Sequence, residues 1–184
     1  LFFVVKKGKL EMKTITINEK QIPVYCTMAE ADQYFAEKFG SAVWDNTEGN
    51  DKEKALVQAT RKLNTLKLQG FPVDSNQPLL FPRYFKPNFL SKRTFSAEAK
   101  SITVHGKSYI YIEDSEAMQM ACAEEACAII ENYNSVHIKN QKLGISSINL
   151  DGAGSVSYNV NASEFTPETM AFVDIFLIKT AKVV

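Results

Sequence analysis

Four of the six prolines in this 184-residue chain fall between residues 72 and 87. Pro72, Pro78, Pro82 and Pro87 each lack an amide donor and clash with a preceding helical turn. No regular helix therefore runs through residues 69–90. The same stretch holds Phe71, Leu79, Leu80, Phe81 and Phe85. A disordered linker would not carry so many large apolar side chains, so the stretch is expected to be an ordered loop pinned by apolar anchors.

Helical patterns lie on either side. Thr27 and Glu30 form a T-x-x-E capping box. Met28, Ala31, Phe35 and Phe39 follow at helical spacing, and Gly40 closes the run. A second helix is expected from about Asn50, with the stripe Leu56, Ala59, Leu63 and Leu66. Trp44 stands between these helices and reads as a core anchor. The longest helix is expected from Ser115 to Tyr133, with Met118, Cys122, Ala126, Ile129 and Tyr133 on one face. Its adjacent Glu124 and Glu125 point about 100° apart and read as a solvated face, not as an acid/base pair. A last helix is expected from Pro167 to about Lys182, with Thr166 as its N-cap. Its apolar residues cover nearly the whole circumference, which implies burial on more than one side.

Three hairpins complete the pattern. They are expected at residues 14–25 around Asn18-Glu19-Lys20, at 102–112 around His105-Gly106-Lys107, and at 145–160 around Asp151-Gly152-Ala153-Gly154. The expected fold class is mainly α: a small helical bundle with short β-hairpins in a single domain. Residues 1–11 are expected to precede the true start at Met12, because Lys6-Lys7-Gly8-Lys9 fits a purine-rich tract resembling a ribosome-binding site.

Chemistry is sparse. Neither His105 nor His137 sits in a pattern that suggests a base or ligand. No nucleophile elbow, zinc-binding pair, phosphate loop or dinucleotide fingerprint is present. Cys26, Cys122 and Cys127 are an odd set without metal-ligand spacing, which suits reduced thiols in a reducing cytoplasm. No catalytic residue, metal or cofactor is expected. The 21 basic and 21 acidic side chains cancel, which argues against a protein built chiefly to grip phosphates. One stretch still interleaves basic and aromatic residues. Arg83, Lys86, Lys92 and Arg93 lie among Tyr84, Phe85 and Phe95, with no acid from 83 to 95. That pattern fits a single-stranded nucleic acid tracked by charge and stacking, or a contact with a neighbouring subunit. The contact is the favoured reading.

The order of local motifs adds a resemblance. An Ala31-Asp32-Gln33-Tyr34-Phe35 helix is followed by Trp44, and a second helix carries Lys54-Ala55-Leu56-Val57-Gln58-Ala59-Thr60. Then come Gly70, the run Gln77-Pro78-Leu79-Leu80-Phe81-Pro82-Arg83 and a long Ala-rich helix. This order resembles the tailed-phage head–tail connector (adaptor, head-completion) family over residues 27–133. Some members of that family carry a DnaT-like single-stranded DNA-binding label. The interval from Tyr84 to Glu113 is longer than the family pattern.

The resemblance implies an N-terminal arm over 1–26 and a helical connector domain over 27–184, with a hairpin insertion at about 85–113. It implies a non-enzymatic neck protein of the virion, assembled in the bacterial host cytoplasm. About a dozen copies would close a homo-oligomeric ring below the portal protein, around the packaged DNA. A downstream neck or tail protein would dock on the ring, and no membrane would be involved. Phe172, Phe176 and Ile178 are the expected subunit or portal contacts. The alternative is a single-stranded DNA-binding replication accessory. A cysteine-dependent enzyme would require an unusually acidic Cys122 or Cys127.

Overall fold

The computed structural model describes residues 12–87, 99–104, 106–133, 147–150, 154–157 and 164–178. The chain opens with a hairpin of β1 (Thr14–Ile17) and β2 (Lys20–Pro23). Asn18 and Glu19 adopt positive φ at its turn, the geometry that matches the twist of a tight hairpin. Ile15, Val24 and Tyr25 are buried, so this hairpin contributes to the main core.

Helix α1 (Met28–Glu37) begins as the capping box requires. The Thr27 amide donates to Glu30 Oε2 at 2.8 Å, and the Glu30 amide donates to Thr27 Oγ1 at 3.4 Å. Ala31 and Phe35 face the core, whereas Phe39 lies beyond the helix end and is fully exposed. The expected apolar stripe therefore stops at Phe35. Short helix α2 (Ala42–Asp45) buries Trp44, which stacks on Phe35 at 4.9 Å and donates its indole N–H to Asp32 at 2.8 Å. Helix α3 (Gly49–Leu63) buries Ala55, Leu56, Val57, Ala59, Thr60 and Leu63.

In the described part of the Pro-rich segment Phe81 and Phe85 are buried anchors and Leu79 and Leu80 are partly buried, whereas Phe71, also expected as an anchor, is exposed. The segment also supplies strands β3 (Phe71–Pro72) and β4 (Arg83–Phe85). These join the expected hairpin, β5 (Ala99–Val104) and β6 (Lys107–Ile112), in an antiparallel sheet of order β3-β4-β6-β5. Strands β7 (Ser147–Leu150) and β8 (Gly154–Ser157) form a separate hairpin.

Helix α4 (Glu116–Asn132) is capped by Ser115, whose side chain accepts from the Met118 amide at 3.3 Å. It packs against α3, α1, α2 and the final helix, α5 (Pro167–Val173). Its alanines allow that close approach from several sides. Glu124 and Glu125 are buried, against the expectation of a solvated face. Glu124 accepts from Tyr34 Oη at 2.5 Å and from Lys38 Nζ at 2.5 and 2.7 Å. Glu125 accepts from Lys62 Nζ at 2.5 Å and from the Thr166 amide at 3.5 Å. Each buried carboxylate thus has a cation and a second donor, the condition that makes its burial tolerable. Tyr133, expected on one face with Met118 and Cys122, is exposed, whereas those two are buried.

The fold class is mixed α/β, not a mainly α helical bundle. The described residues form five helices and three antiparallel sheets of two, four and two strands. The difference arises chiefly between residues 71 and 112, where the short strands β3 and β4 join the expected hairpin in one sheet through the non-local β4–β6 pairing.

The expected terminal helix is also shorter. It ends at Val173, and the chain then runs beside residues 67–69. Gln69 N–H donates to the Phe176 carbonyl at 2.7 Å, and Ile178 N–H donates to the Lys67 carbonyl at 3.1 Å. Phe176 is 1% exposed and packs on Phe81 and Phe85, so it is a core residue and not a surface contact. Phe172 is half-buried near the Tyr34 ring, whereas Ile178 is 55% exposed. The apolar run is a chain segment entering the core; it does not form an all-round apolar helix.

Candidate nucleic-acid interface

The four-stranded sheet has two unlike faces, and strand alternation assigns its residues to them. Arg83, Phe85, Ile110 and Ile112 are buried on the inner face. Tyr84, Tyr109 and Tyr111 alternate with them and are partly exposed. Phe71 pairs with Tyr84, Tyr84 with Tyr111, and Tyr111 with Lys100. One row of side chains thus crosses all four strands. Tyr109 stands two residues along β6 from Tyr111, beside Ile102 of β5.

The rings are contiguous. Phe71 lies 5.3 Å from Tyr84 and 5.1 Å from Tyr109, centroid to centroid. Tyr84 lies 5.7 Å from Tyr111 and 6.3 Å from Tyr109. The contacts are tilted or edge-on, arrangements favoured by the ring quadrupoles. Phe71 remains 41% exposed. A cluster of four rings on an outer sheet face is a surface on which planar, weakly polar groups can stack.

Lysines flank the rings. Lys107 shares the Tyr109 and Tyr111 side of β6, Lys100 ends the cross-strand row, and Lys86 directly follows β4; all three are exposed. Continuing the β4–β6 register brings Lys86 opposite Tyr109. One acid intrudes: Glu113 lies 3.6 Å from Lys100. Burial raises the Tyr111 pKa, and the charge of Glu113 and the neighbouring Tyr84 raise it further. The tyrosine is therefore a neutral stacking and hydrogen-bonding group at ordinary pH.

The basic residues expected from the sequence separate into different roles. Arg83 is buried and bonded to backbone carbonyls, so it is not a surface charge. Lys86 is exposed at the edge of the ring cluster. Lys92 and Arg93 lie outside the described residues. Phe71, Tyr109 and Tyr111 were not singled out by the basic–aromatic pattern, because they come from separate strands. Only the pairing of those strands gathers them. The cancelling charges of the whole chain were likewise a poor guide, since net charge does not report how lysines are distributed over one face.

Among the described residues, no other site offers comparable chemistry. Cys122 is fully buried with its sulfur 3.4 Å from Thr60 Oγ1, and burial pushes its thiol up to about 12. Burial raises the Cys26 and Cys127 thiols as well. These shifts run opposite to the activation that a nucleophilic cysteine needs. A cavity of about 210 Å³ between α1 and α4 is bordered by Glu30, Glu37 and Glu116, the wrong charge for phosphate. No helix among the described residues is long and apolar enough to cross a membrane.

Residues 18–105 match the profile of a family described as "Putative DnaT-like ssDNA binding protein". The match includes Phe71, Tyr84, Lys86 and Lys100 and ends just before β6. No curated protein matches, and no solved structure matches. The match overturns the expectation of a head–tail connector, because its description concerns single-stranded DNA binding. The virion neck, portal ring and tail partners inferred from motif order have no support in it. The match is consistent with DNA binding.

Proposed function

We propose that the chain is a single-stranded DNA-binding protein with an accessory role in replication and no catalytic activity, acting through the outer face of the four-stranded sheet. The carrying observation is the contiguous set of Phe71, Tyr84, Tyr109 and Tyr111 with lysines at its margins. Exposed bases of a single strand stack on these rings, while Lys86, Lys100 and Lys107 meet its phosphates. Stacking needs no particular base edge, so the recognition is tolerant of sequence. Duplex DNA is a poorer ligand, because its bases are already stacked on one another. The family description of residues 18–105 supports the same reading.

The test is fluorescence anisotropy with a labelled oligothymidylate at low salt. Wild type should bind, and Tyr84→Ala or Tyr111→Ala should each weaken binding by about 1–3 kcal/mol, the usual worth of one base–aromatic stack. Circular dichroism checks that the fold persists. Wild type that fails to bind, or alanine variants that bind equally well, would sink the proposal.

A further inference from the structure

Arg83 is the last residue of the Gln77–Arg83 run, and it points away from the ring cluster. Its side of β4 is the buried one, and it is 8% exposed. Its Nε donates to the Gln69 carbonyl at 2.6 Å. Nη2 donates to the carbonyls of Leu68 and Gly70 at 3.1 and 3.2 Å, and Nη1 reaches the Leu80 carbonyl at 3.4 Å. All four acceptors are backbone oxygens. Three belong to consecutive residues that lead directly into Phe71. The planar fork of a guanidinium can hold several fixed acceptors at once, which a lysine ammonium on its flexible stem does poorly.

The neighbouring geometry is tight. Gly70 has φ of +72°, and a Cβ there would come within 2.0 Å of the Tyr84 carbonyl oxygen. The backbone before Phe71 is thus pressed against the strand that carries Tyr84, and Arg83 fastens it from the inner face. Gln77 supports the same loop by donating to the carbonyls of Leu79 and Pro82 at 2.7 and 3.0 Å.

We propose that Arg83 is the positioning residue of the stacking surface, setting the Phe71–Tyr84 ring pair in place for nucleobases without touching phosphate. The proposal rests on the single-stranded DNA reading of the sheet face. It assigns a task to Arg83, a strongly basic side chain that the structure removes from solvent.

The full chain is titrated with labelled oligothymidylate over a range of salt, while tyrosine fluorescence quenching reports stacking. Arg83→Lys keeps a positive charge and so would preserve a phosphate contact. It is expected instead to lose roughly tenfold in affinity, a typical consequence of a lost stack. Its salt dependence should match wild type and its tyrosine quenching should fall. Lys86→Ala should do the reverse, making the logarithmic salt slope shallower by about 0.7 and leaving quenching intact. Arg83→Lys that binds and quenches like wild type overturns the proposal.

A second measurement needs no variant. The Arg83 Nε–H resonance of wild type should exchange slowly with solvent and hold its position when oligonucleotide saturates the protein. Fast exchange in the free protein, or a large shift on binding, overturns the proposal even if Arg83→Lys does not fold. Wild type that binds no oligonucleotide removes the functional reading itself, a result distinct from either of these.

Discussion

At the residue scale, Gly70 has a role no other residue can fill. Its positive φ disfavours any side chain, and the Tyr84 carbonyl occupies the space a Cβ would need. Both objections involve backbone, which cannot swing aside as a flexible side chain would. Gly70→Ala should therefore cost at least ~2 kcal/mol of stability. Urea unfolding followed by circular dichroism measures this, and a loss under ~0.5 kcal/mol, the range of an ordinary surface change, would contradict the close approach. In the sequence the glycine is legible as one member of a motif order in a Pro-rich stretch, not as a close backbone approach. Its particular demand comes from a strand fourteen residues away in the chain. Glu124 and Glu125 show the same limitation. Adjacent glutamates on a helix read as solvent-facing until Lys38 and Lys62, more than sixty residues earlier, are placed beside them.

At the scale of elements, local signals proved legible and non-local ones did not. Thr27 with Glu30, Ser115, and Thr166 with Pro167 each mark a helix start that the structure reproduces, because a cap is complete within four residues. Strands β3 and β4 are too short to show a period, and they exist only through pairing. The segment after Val173 looked helical because it is apolar, yet it is apolar because Phe176 enters the core. One junction between elements makes a pH prediction. Lys13, just before β1, bonds Glu30 of α1 and Asp114 ahead of α4, each at 2.8 Å. Burial alone would raise the Glu30 pKa, but hydrogen bonds from Lys13 and Thr27 outweigh it and hold the carboxyl below its ordinary value. Burial would lower Lys13, and its two carboxylate partners more than reverse that. A depressed acid stabilises the fold above its unfolded pKa and loses that contribution as pH falls through the folded value. A raised base stabilises below its unfolded pKa and loses the contribution as pH rises through the folded value. Wild type should thus exceed Lys13→Met in unfolding free energy, measured by urea titration near neutral pH, by less than about 1 kcal/mol because the groups are partly exposed. The gap should narrow as pH falls below about 4.5. A gap that stays constant down to acid pH would show that the ion pairs contribute nothing.

For the whole molecule, zero net charge and a local aromatic face together dictate how binding should behave. With 21 basic and 21 acidic side chains the chain has no net charge to draw in a polyanion from a distance, so affinity in the proposed complex rests on the local rings and lysines of the sheet face. The cross-strand row from Phe71 to Lys100 spans three strand spacings, or about 14 Å. A stacked strand rises about 3.4 Å per nucleotide, so that span matches about four nucleotides, the lower end of single-stranded binding sites. In the proposed complex, Lys86, Lys100 and Lys107 would set the electrostatic share. At about 0.7 per phosphate on a single strand, three lysines give a logarithmic salt slope near −2. Lys100 contributes less while Glu113 holds it. Oligothymidylates of about four, eight and sixteen nucleotides, titrated across a range of salt, test both numbers. Affinity should rise up to about four to six nucleotides and then grow only with the number of equivalent registers, with a slope of about −2 or shallower. Affinity that keeps climbing to the longest strand, with a slope steeper than about −4, would mean that the DNA engages a larger and more basic surface than this sheet face.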